Sequence, residues 1–113
     1  MSQITTHVLD TSRGLPAAGI DIELFEKTTE GWQSLTQGTT NQDGRVSIFL
    51  ADEVILNAGT YRMHFATKSY LKQHCDKVFY PYVDVVFELA GDGAHYHIPL
   101  LLSPFGYSTY RGS

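Results

Sequence analysis

The sequence predicts an all-β fold, a sandwich of seven or eight short strands with one short helix. Apolar and polar residues alternate in short runs, and Gly, Pro, Asn and Asp separate these runs. Aromatic residues, which are enriched in strands, make up 12% of the chain. The chain has 113 residues, 42% of them hydrophobic, which suffices for one core. We therefore expect residues 1–113 to form a single domain.

The first two predicted strands are divided by a loop rich in glycine and proline. Residues 4–10 are rich in β-branched side chains, and their alternation places His7 and Leu9 on the face opposite the buried one. Residues 11–19 form the loop, and residues 20–27 alternate again. Each strand thus has one face for the core and one for solvent or a ligand.

A turn at residues 41–44 separates the next two predicted strands. Its Asn and Asp side chains can bond their own backbone, and Gly44 accepts a positive φ. Residues 32–40 form the strand before the turn, and residues 45–50 the strand after it. Alternation in the second strand places Val46, Ile48 and Leu50 inward and Arg45, Ser47 and Phe49 outward.

The second half of the chain alternates on either side of one helix-like segment. Residues 60–67 and 82–89 are predicted strands, whereas residues 67–74, where Lys and Gln accumulate, predict the short helix. Pro99 and Pro104 indicate an edge, a bulge or a strand end near the last strand. The alternation of that strand places Tyr96, Ile98, Leu100 and Leu102 on one face and His95, His97, Leu101 and Ser103 on the other.

Charge and cysteine content argue against several classes of function. The net charge is −4, and the eight Lys and Arg residues are scattered, so we expect no nucleic-acid partner. Cys75 is the single cysteine, which fits a reducing compartment. Neither a secretory leader nor a run of about 18 apolar residues is evident. We expect a cytoplasmic protein, or a peroxisomal one in a eukaryote, although the final RGS is no clear peroxisomal signal.

Three polar residues suited to catalysis lie on the outward faces of their predicted strands: His7, Arg45 and His97. Imidazoles exchange protons with water near neutral pH, and a guanidinium can orient a carbonyl-rich or anionic ligand. These groups suffice for hydrolysis by water. The simpler interpretation, a solvated side chain, remains open for each histidine taken singly, because the chain has five of them.

Other chemistries have less support in the sequence. His95 and His97 could share a metal ion, but no third ligand follows at a zinc-like spacing. The chain lacks the G-x-S-x-G motif of serine hydrolases and the glycine-rich loops that bind nucleotides. We therefore expect neither a metal nor a cofactor.

Four segments together resemble one known family. They are THVLD at residues 6–10, NQDGR at 41–45, TKSYLK at 67–72 and HYHIPLLLSPFGYSTYRGS at 95–113. In these segments the chain is similar to the 5-hydroxyisourate hydrolases, transthyretin-related enzymes of purine catabolism. The terminal YRGS is the most specific part, because it distinguishes the enzymes from transthyretin, a hormone carrier.

The resemblance implies a β-sandwich of eight strands in two sheets with one short helix, assembled as a homotetramer with active sites between subunits. It also implies hydrolysis of 5-hydroxyisourate to 2-oxo-4-hydroxy-4-carboxy-5-ureidoimidazoline without a cofactor. Position by position, it assigns catalysis to His7, Arg45, His97 and Ser113, and substrate binding to His7, Arg45, Tyr110, Arg111 and Gly112.

From these assignments we expect His7 and His97 to position and deprotonate a water molecule while Arg45 holds substrate oxygens. The sequence leaves open which histidine is the base. Leu9, Leu101 and Phe49 share the outward faces, and such apolar groups beside polar ones indicate a subunit interface.

Two competing interpretations remain. One is a transthyretin-like tetramer that carries a small aromatic ligand without converting it. The other is a structural sandwich of the immunoglobulin type, which the strand pattern alone allows. Neither accounts for the three outward polar residues together with YRGS.

Overall fold

Two four-stranded sheets enclose one core of buried side chains. The computed structural model describes residues 2–112. Its strands are β1 (Ile4–Asp10), β2 (Leu15–Pro16), β3 (Asp21–Thr28), β4 (Gly31–Thr39), β5 (Gly59–Ala66), β6 (Val83–Leu89), β7 (Tyr96–Ser103) and β8 (Gly106–Thr109), with the helix α1 (Lys68–His74) between β5 and β6. Sheet A has the order β2-β1-β7-β8, and sheet B has the order β4-β3-β5-β6. The prediction of two sheets with one short helix is confirmed.

Alternation along the strands builds the core, as predicted. Inward positions on both sheets are fully buried: Ile4, Val8 and Leu100 on sheet A, and Ile22, Leu24, Tyr61, Met63, Phe65 and Val83 on sheet B. Burying each such side chain contributes roughly 1.5–3 kcal/mol to stability. The opposite face of β1 stays partly exposed, which leaves His7 available for chemistry.

The prediction of a strand at residues 45–50 was wrong. Only Arg45 pairs there, in an isolated bridge with His7, and the chain then continues without a ladder. Ile48, expected inside, is 79% exposed, and Phe49, expected outside, is 3% exposed. Without a ladder, successive side chains in this segment need not point alternately inward and outward. The chain is held by single bonds instead, such as that from the Leu50 amide to the Ser2 hydroxyl at 3.1 Å.

Two short strands were not predicted. β2 lies within the expected loop at residues 11–19 and pairs with the end of β1. β8 follows the Pro104 turn and pairs antiparallel with β7 from Leu100 to Ser103. Both strands are too short to show an alternating pattern. Their addition, with the loss of the strand at 45–50, gives eight strands, within the seven or eight expected.

β7 occupies the centre of sheet A between a parallel and an antiparallel neighbour. It pairs in parallel with β1, so that Thr5 lies beside His97 and His7 beside Pro99. Pro99 has no amide hydrogen, and the β7–β8 ladder ends next to it, at the pair Leu100 with Thr109. The Thr109 hydroxyl donates instead to the Pro99 carbonyl at 2.6 Å. Of the alternatives foreseen for this proline, the structure thus has an edge, because β7 continues through Pro99 but has no β8 partner there.

The helix α1 is attached to sheet A through one buried hydrogen bond. The Tyr70 hydroxyl donates to Asp10 Oδ2 at 2.7 Å, and both residues are buried. Among residues 2–112, no helix is long and apolar enough to cross a membrane.

Candidate active site

A tight turn places Arg45 beside His7. The Asn41 side chain accepts the amides of Asp43 at 2.9 Å and Arg45 at 3.2 Å, which closes the turn. Gly44 has a φ of +75°, and its carbonyl accepts the Val8 amide at 2.9 Å. A β carbon on Gly44 would stand 2.4 Å from the Val8 carbonyl oxygen, so a larger residue would displace the turn from β1. The glycine therefore sets the approach of Arg45 to His7.

The C-terminal segment returns to β7 at His97. The Gly112 amide donates to the His97 carbonyl at 2.7 Å, and the two residues form an isolated antiparallel bridge. A β carbon on Gly112 would lie 2.7 Å from Cδ2 of the His97 ring. The backbone at Gly112 thus packs directly against the imidazole.

Thr5 is a site residue that sequence reasoning missed. Its hydroxyl lies 2.8 Å from Nδ1 of His97 and 3.0 Å from Nε2 of His95. The parity of β1 places Thr5 on the same face as His7. Its position beside His97, however, follows from the parallel register of β1 and β7, which no local sequence pattern specifies.

The environment of His97 favours its neutral form. Burial lowers the pKa of His97 below its usual 6.5, and the positive charges of Arg45, His7 and His95 lower it further. An imidazole that is neutral at pH 7 can accept a proton from water. The pKa of His97 therefore suits a general base.

Tyr110 and Arg111 lie at the open side of the sandwich, between β8 and β6. The Arg111 guanidinium lies 4.4 Å from the centre of the Tyr96 ring, a cation–π contact. Both residues border a cavity of about 210 Å³ that is lined mainly by apolar side chains, among them Phe87 and Ile98. Tyr110 is 58% exposed. Ser113 lies outside the described residues.

The outer face of sheet A also presents apolar side chains. Leu9 and Leu101 are direct neighbours in the parallel register, and each is partly exposed. Phe49, expected in this group, is buried in the core, so the prediction that it belongs to an outward surface was wrong. Of the predicted site residues, His7 and His97 are partly exposed and Arg45 is exposed, so these three form an open surface in the single chain, whereas Tyr110 and Arg111 border the cavity of about 210 Å³. The larger cleft of about 560 Å³ lies on sheet B beside Glu23 and His64.

Within residues 2–112, no group of three or more His, Cys, Asp or Glu side chains is arranged to hold a metal ion. His95 and His97 face a shared hydroxyl, that of Thr5.

The two-sheet sandwich, with two histidines and an arginine on the outer face of one sheet, defines a transthyretin-like protein with a polar surface site. The chain belongs to the HIUase/Transthyretin family, whose model matches residues 4–112. It is 46% identical to the 5-hydroxyisourate hydrolase of Mus musculus, over 99% of this chain and 96% of that protein. It is 42% identical to the 5-hydroxyisourate hydrolase of Deinococcus radiodurans, over 97% of this chain and 95% of that protein.

Solved structures show the same architecture. Sea bream transthyretin in complex with thyroxine superposes with a TM-score of 0.90 at 31% identity, covering 98% of this chain and 95% of that one. The 5-hydroxyisourate hydrolase of Klebsiella pneumoniae superposes with a TM-score of 0.82 at 32% identity, covering 97% of this chain and 98% of that one. The predicted transthyretin-like fold is confirmed.

Proposed function

We propose that this chain hydrolyses 5-hydroxyisourate to 2-oxo-4-hydroxy-4-carboxy-5-ureidoimidazoline, a step of urate degradation. The proposal depends chiefly on one observation: His7, Arg45 and His97, from distant parts of the sequence, meet on the outer face of sheet A. The similarity to proteins named 5-hydroxyisourate hydrolase supports the choice of substrate.

In the proposed reaction a water molecule attacks a carbonyl of the six-membered ring. One histidine takes a proton from the water as its oxygen bonds to the carbonyl carbon. Arg45 binds the carbonyl oxygen and stabilises the negative charge that develops there. The ring C–N bond then breaks, its nitrogen receives a proton, and a carboxylate forms without a covalent enzyme intermediate.

The C-terminal residues complete the proposed site. Gly112 holds the His97 ring in place, and the roles predicted for Tyr110 in substrate binding and for Ser113 in catalysis stay predictions. Arg111 was predicted to bind substrate, and this stays a prediction; in the structure its guanidinium contacts the Tyr96 ring, and this contact fixes the path of the C-terminal segment. Neither a metal nor a cofactor takes part in this proposal. The cytoplasmic location expected from the sequence also stays a prediction.

We further propose that the sites lie between subunits of a homotetramer. In the single chain the polar residues form an open surface, whereas hydrolysis is favoured in an enclosed site. Leu9 and Leu101, side by side and partly exposed, supply an apolar surface next to His7. Sedimentation of the wild type and Leu101→Lys tests this assembly. A wild-type monomer would contradict it.

A carrier function is the second candidate, and the likeness to sea bream transthyretin in complex with thyroxine favours it. The two functions differ in the fate of the ligand. The test is the rate at which freshly generated 5-hydroxyisourate loses its absorbance, compared with its spontaneous decay. Acceleration by catalytic amounts of protein supports the hydrolase. Binding of thyroxine by a protein that leaves this decay unchanged would support the carrier.

A further inference from the structure

One hydroxyl group links the two histidines of the HYH segment. Thr5 Oγ1 lies 2.8 Å from Nδ1 of His97 and 3.0 Å from Nε2 of His95, both within hydrogen-bonding range. A threonine hydroxyl has a single proton to donate, and a neutral imidazole has one donor and one acceptor nitrogen. When both imidazoles are neutral and both bonds form, Thr5 must donate to one histidine and accept from the other.

This constraint couples the tautomers of the two histidines. If Thr5 donates to His97, Nδ1 of His97 is the acceptor and its Nε2 bears the proton, so that His97 has no basic nitrogen left for water. If Thr5 donates to His95, Nδ1 of His97 bears the proton and donates to Thr5. Nε2 of His97 then keeps a free lone pair. Only the second arrangement provides a base at His97.

We propose that Thr5, with His95 behind it, is a positioning residue that holds His97 in the tautomer protonated on Nδ1 and so makes its Nε2 the general base. The inference rests on the proposed hydrolysis and decides between the two histidines that the sequence left open. In this arrangement His97 Nδ1–H donates a hydrogen bond to Thr5 Oγ1, and Thr5 Oγ1–H donates one to His95 Nε2. When His97 accepts the proton of water on Nε2, the imidazolium keeps its bond to Thr5, and no other proton need move.

The surroundings of His97 fit this role. Its charged or titratable neighbours are Arg45, His7 and His95, of which His95 is neutral in this arrangement, and Gly112 covers one side of its ring. The ring is thereby fixed on the Nδ1 side by Thr5 and along Cδ2 by the C-terminal segment. A ring held on both sides leaves little freedom for Nε2 to turn away from substrate.

The variants Thr5→Val and Thr5→Ser test the role of the hydroxyl. Valine keeps the branched shape and the strand but cannot bond either imidazole, whereas serine keeps the hydroxyl. We expect kcat to fall about tenfold to a hundredfold in Thr5→Val, the range found for groups that orient metal-bound histidines, with KM changed less than threefold. Thr5→Ser should restore kcat to within about threefold of the wild type. Equal kcat in Thr5→Val and the wild type would overturn the proposal.

Nitrogen NMR of the histidine rings tests the tautomer without substrate. At a pH where His97 is neutral, we expect a protonated Nδ1 and an unprotonated Nε2 in the wild type and in Thr5→Ser. In Thr5→Val the population protonated on Nε2 should increase. A wild-type His97 protonated on Nε2 would overturn the proposal. A protein with the expected tautomer but without turnover would support the hydrogen-bond chain and contradict the proposed function, so the two failures are distinguishable.

Discussion

Gly112 packs against His97 so closely that neither residue can shift without displacing the other. The Gly112 amide donates to the His97 carbonyl at 2.7 Å, and a β carbon at position 112 would lie 2.7 Å from Cδ2 of the imidazole. Real β carbons essentially never approach other heavy atoms within 3.0 Å. The position of the backbone at Gly112 and the orientation of the proposed base therefore depend on each other.

Replacing Gly112 by alanine tests this dependence. The added methyl group must displace either the His97 ring or the C-terminal segment. A small displacement of a catalytic group lowers the reaction rate strongly. We expect kcat/KM to fall at least tenfold, with the melting temperature changed by less than a few degrees. Gly106→Ala is the matched control, since its β carbon would meet only Ser103 Oγ at 3.7 Å. If both variants keep wild-type rates, Gly112 does not set the position of His97.

Gly44→Ala tests the approach of the turn to β1. Alanine would have to adopt the left-handed backbone conformation of Gly44, which lowers the free energy of unfolding by about 1–2 kcal/mol. Its β carbon would also clash with the Val8 carbonyl, which lowers that free energy by about 1–3 kcal/mol more. Gly14→Ala isolates the first effect, because Gly14 has a φ of +68° and nothing within 4 Å of the added carbon. Urea unfolding should show Gly44→Ala to be the less stable variant, and Arg45 should lose its position beside His7. Equal stability of the two variants would contradict the clash.

The pH dependence of activity should reflect the lowered pKa of His97. Burial lowers this pKa below 6.5, and the charges of Arg45, His7 and His95 add to the effect. A base must be neutral, so kcat/KM should fall with an acid limb below pH 6.5 and stay level from there toward neutrality. In Arg45→Met, NMR titration should show the pKa of His97 moving up toward 6.5. A wild-type His97 that titrates at or above 6.5 would contradict the environment described.

Tyr70→Phe tests the buried bond between α1 and β1. Burial alone raises the pKa of Asp10, but hydrogen bonds from Ser12, Tyr70 and the Arg13 amide outweigh it, so the pKa is lowered. A lowered carboxyl pKa contributes stability above its unfolded value of about 3.9, and this contribution is lost as the pH falls through the folded pKa. We expect Tyr70→Phe to lose about 1–3 kcal/mol at pH 7 and less at pH 3.

The control for this variant is Tyr82→Phe, since Tyr82 is 50% exposed. Urea titrations of both variants at the two pH values provide the comparison. A loss in Tyr70→Phe that is the same at pH 3 and pH 7 would mean that its partner is not the ionised Asp10.

The strands with regular alternation could be predicted from sequence because each has one face in the core. In β5, Tyr61, Met63 and Phe65 are fully buried while Arg62 and His64 stay partly exposed, as expected. The same reasoning failed at residues 45–50, where alternation of residue types exists without a ladder. Ile48 is exposed and Phe49 is buried there, the reverse of what alternation within one segment predicts.

The sequence predicted most residues of the candidate active site but not their arrangement. Outward parity and the family resemblance together indicated His7, Arg45 and His97. Thr5 was missed because its role depends on the register between β1 and β7, residues more than 90 positions apart. The contact of Arg111 with Tyr96 could not be predicted from the sequence either. The β7–β8 ladder ends at Leu100 and Thr109, so no strand pairing carries Arg111 to Tyr96.

Turnover of freshly generated 5-hydroxyisourate by His97→Asn, beside a matched histidine variant, tests the central claim most directly. His64→Asn is the match, because His64 lies on sheet B and bonds Asp84 Oδ1 at 2.6 Å, away from the proposed site. Removal of a general base lowers rates by about 10²–10⁴-fold. We therefore predict a loss of that size for His97→Asn and a wild-type rate for His64→Asn. Wild-type turnover by His97→Asn would contradict the assignment of this histidine to catalysis.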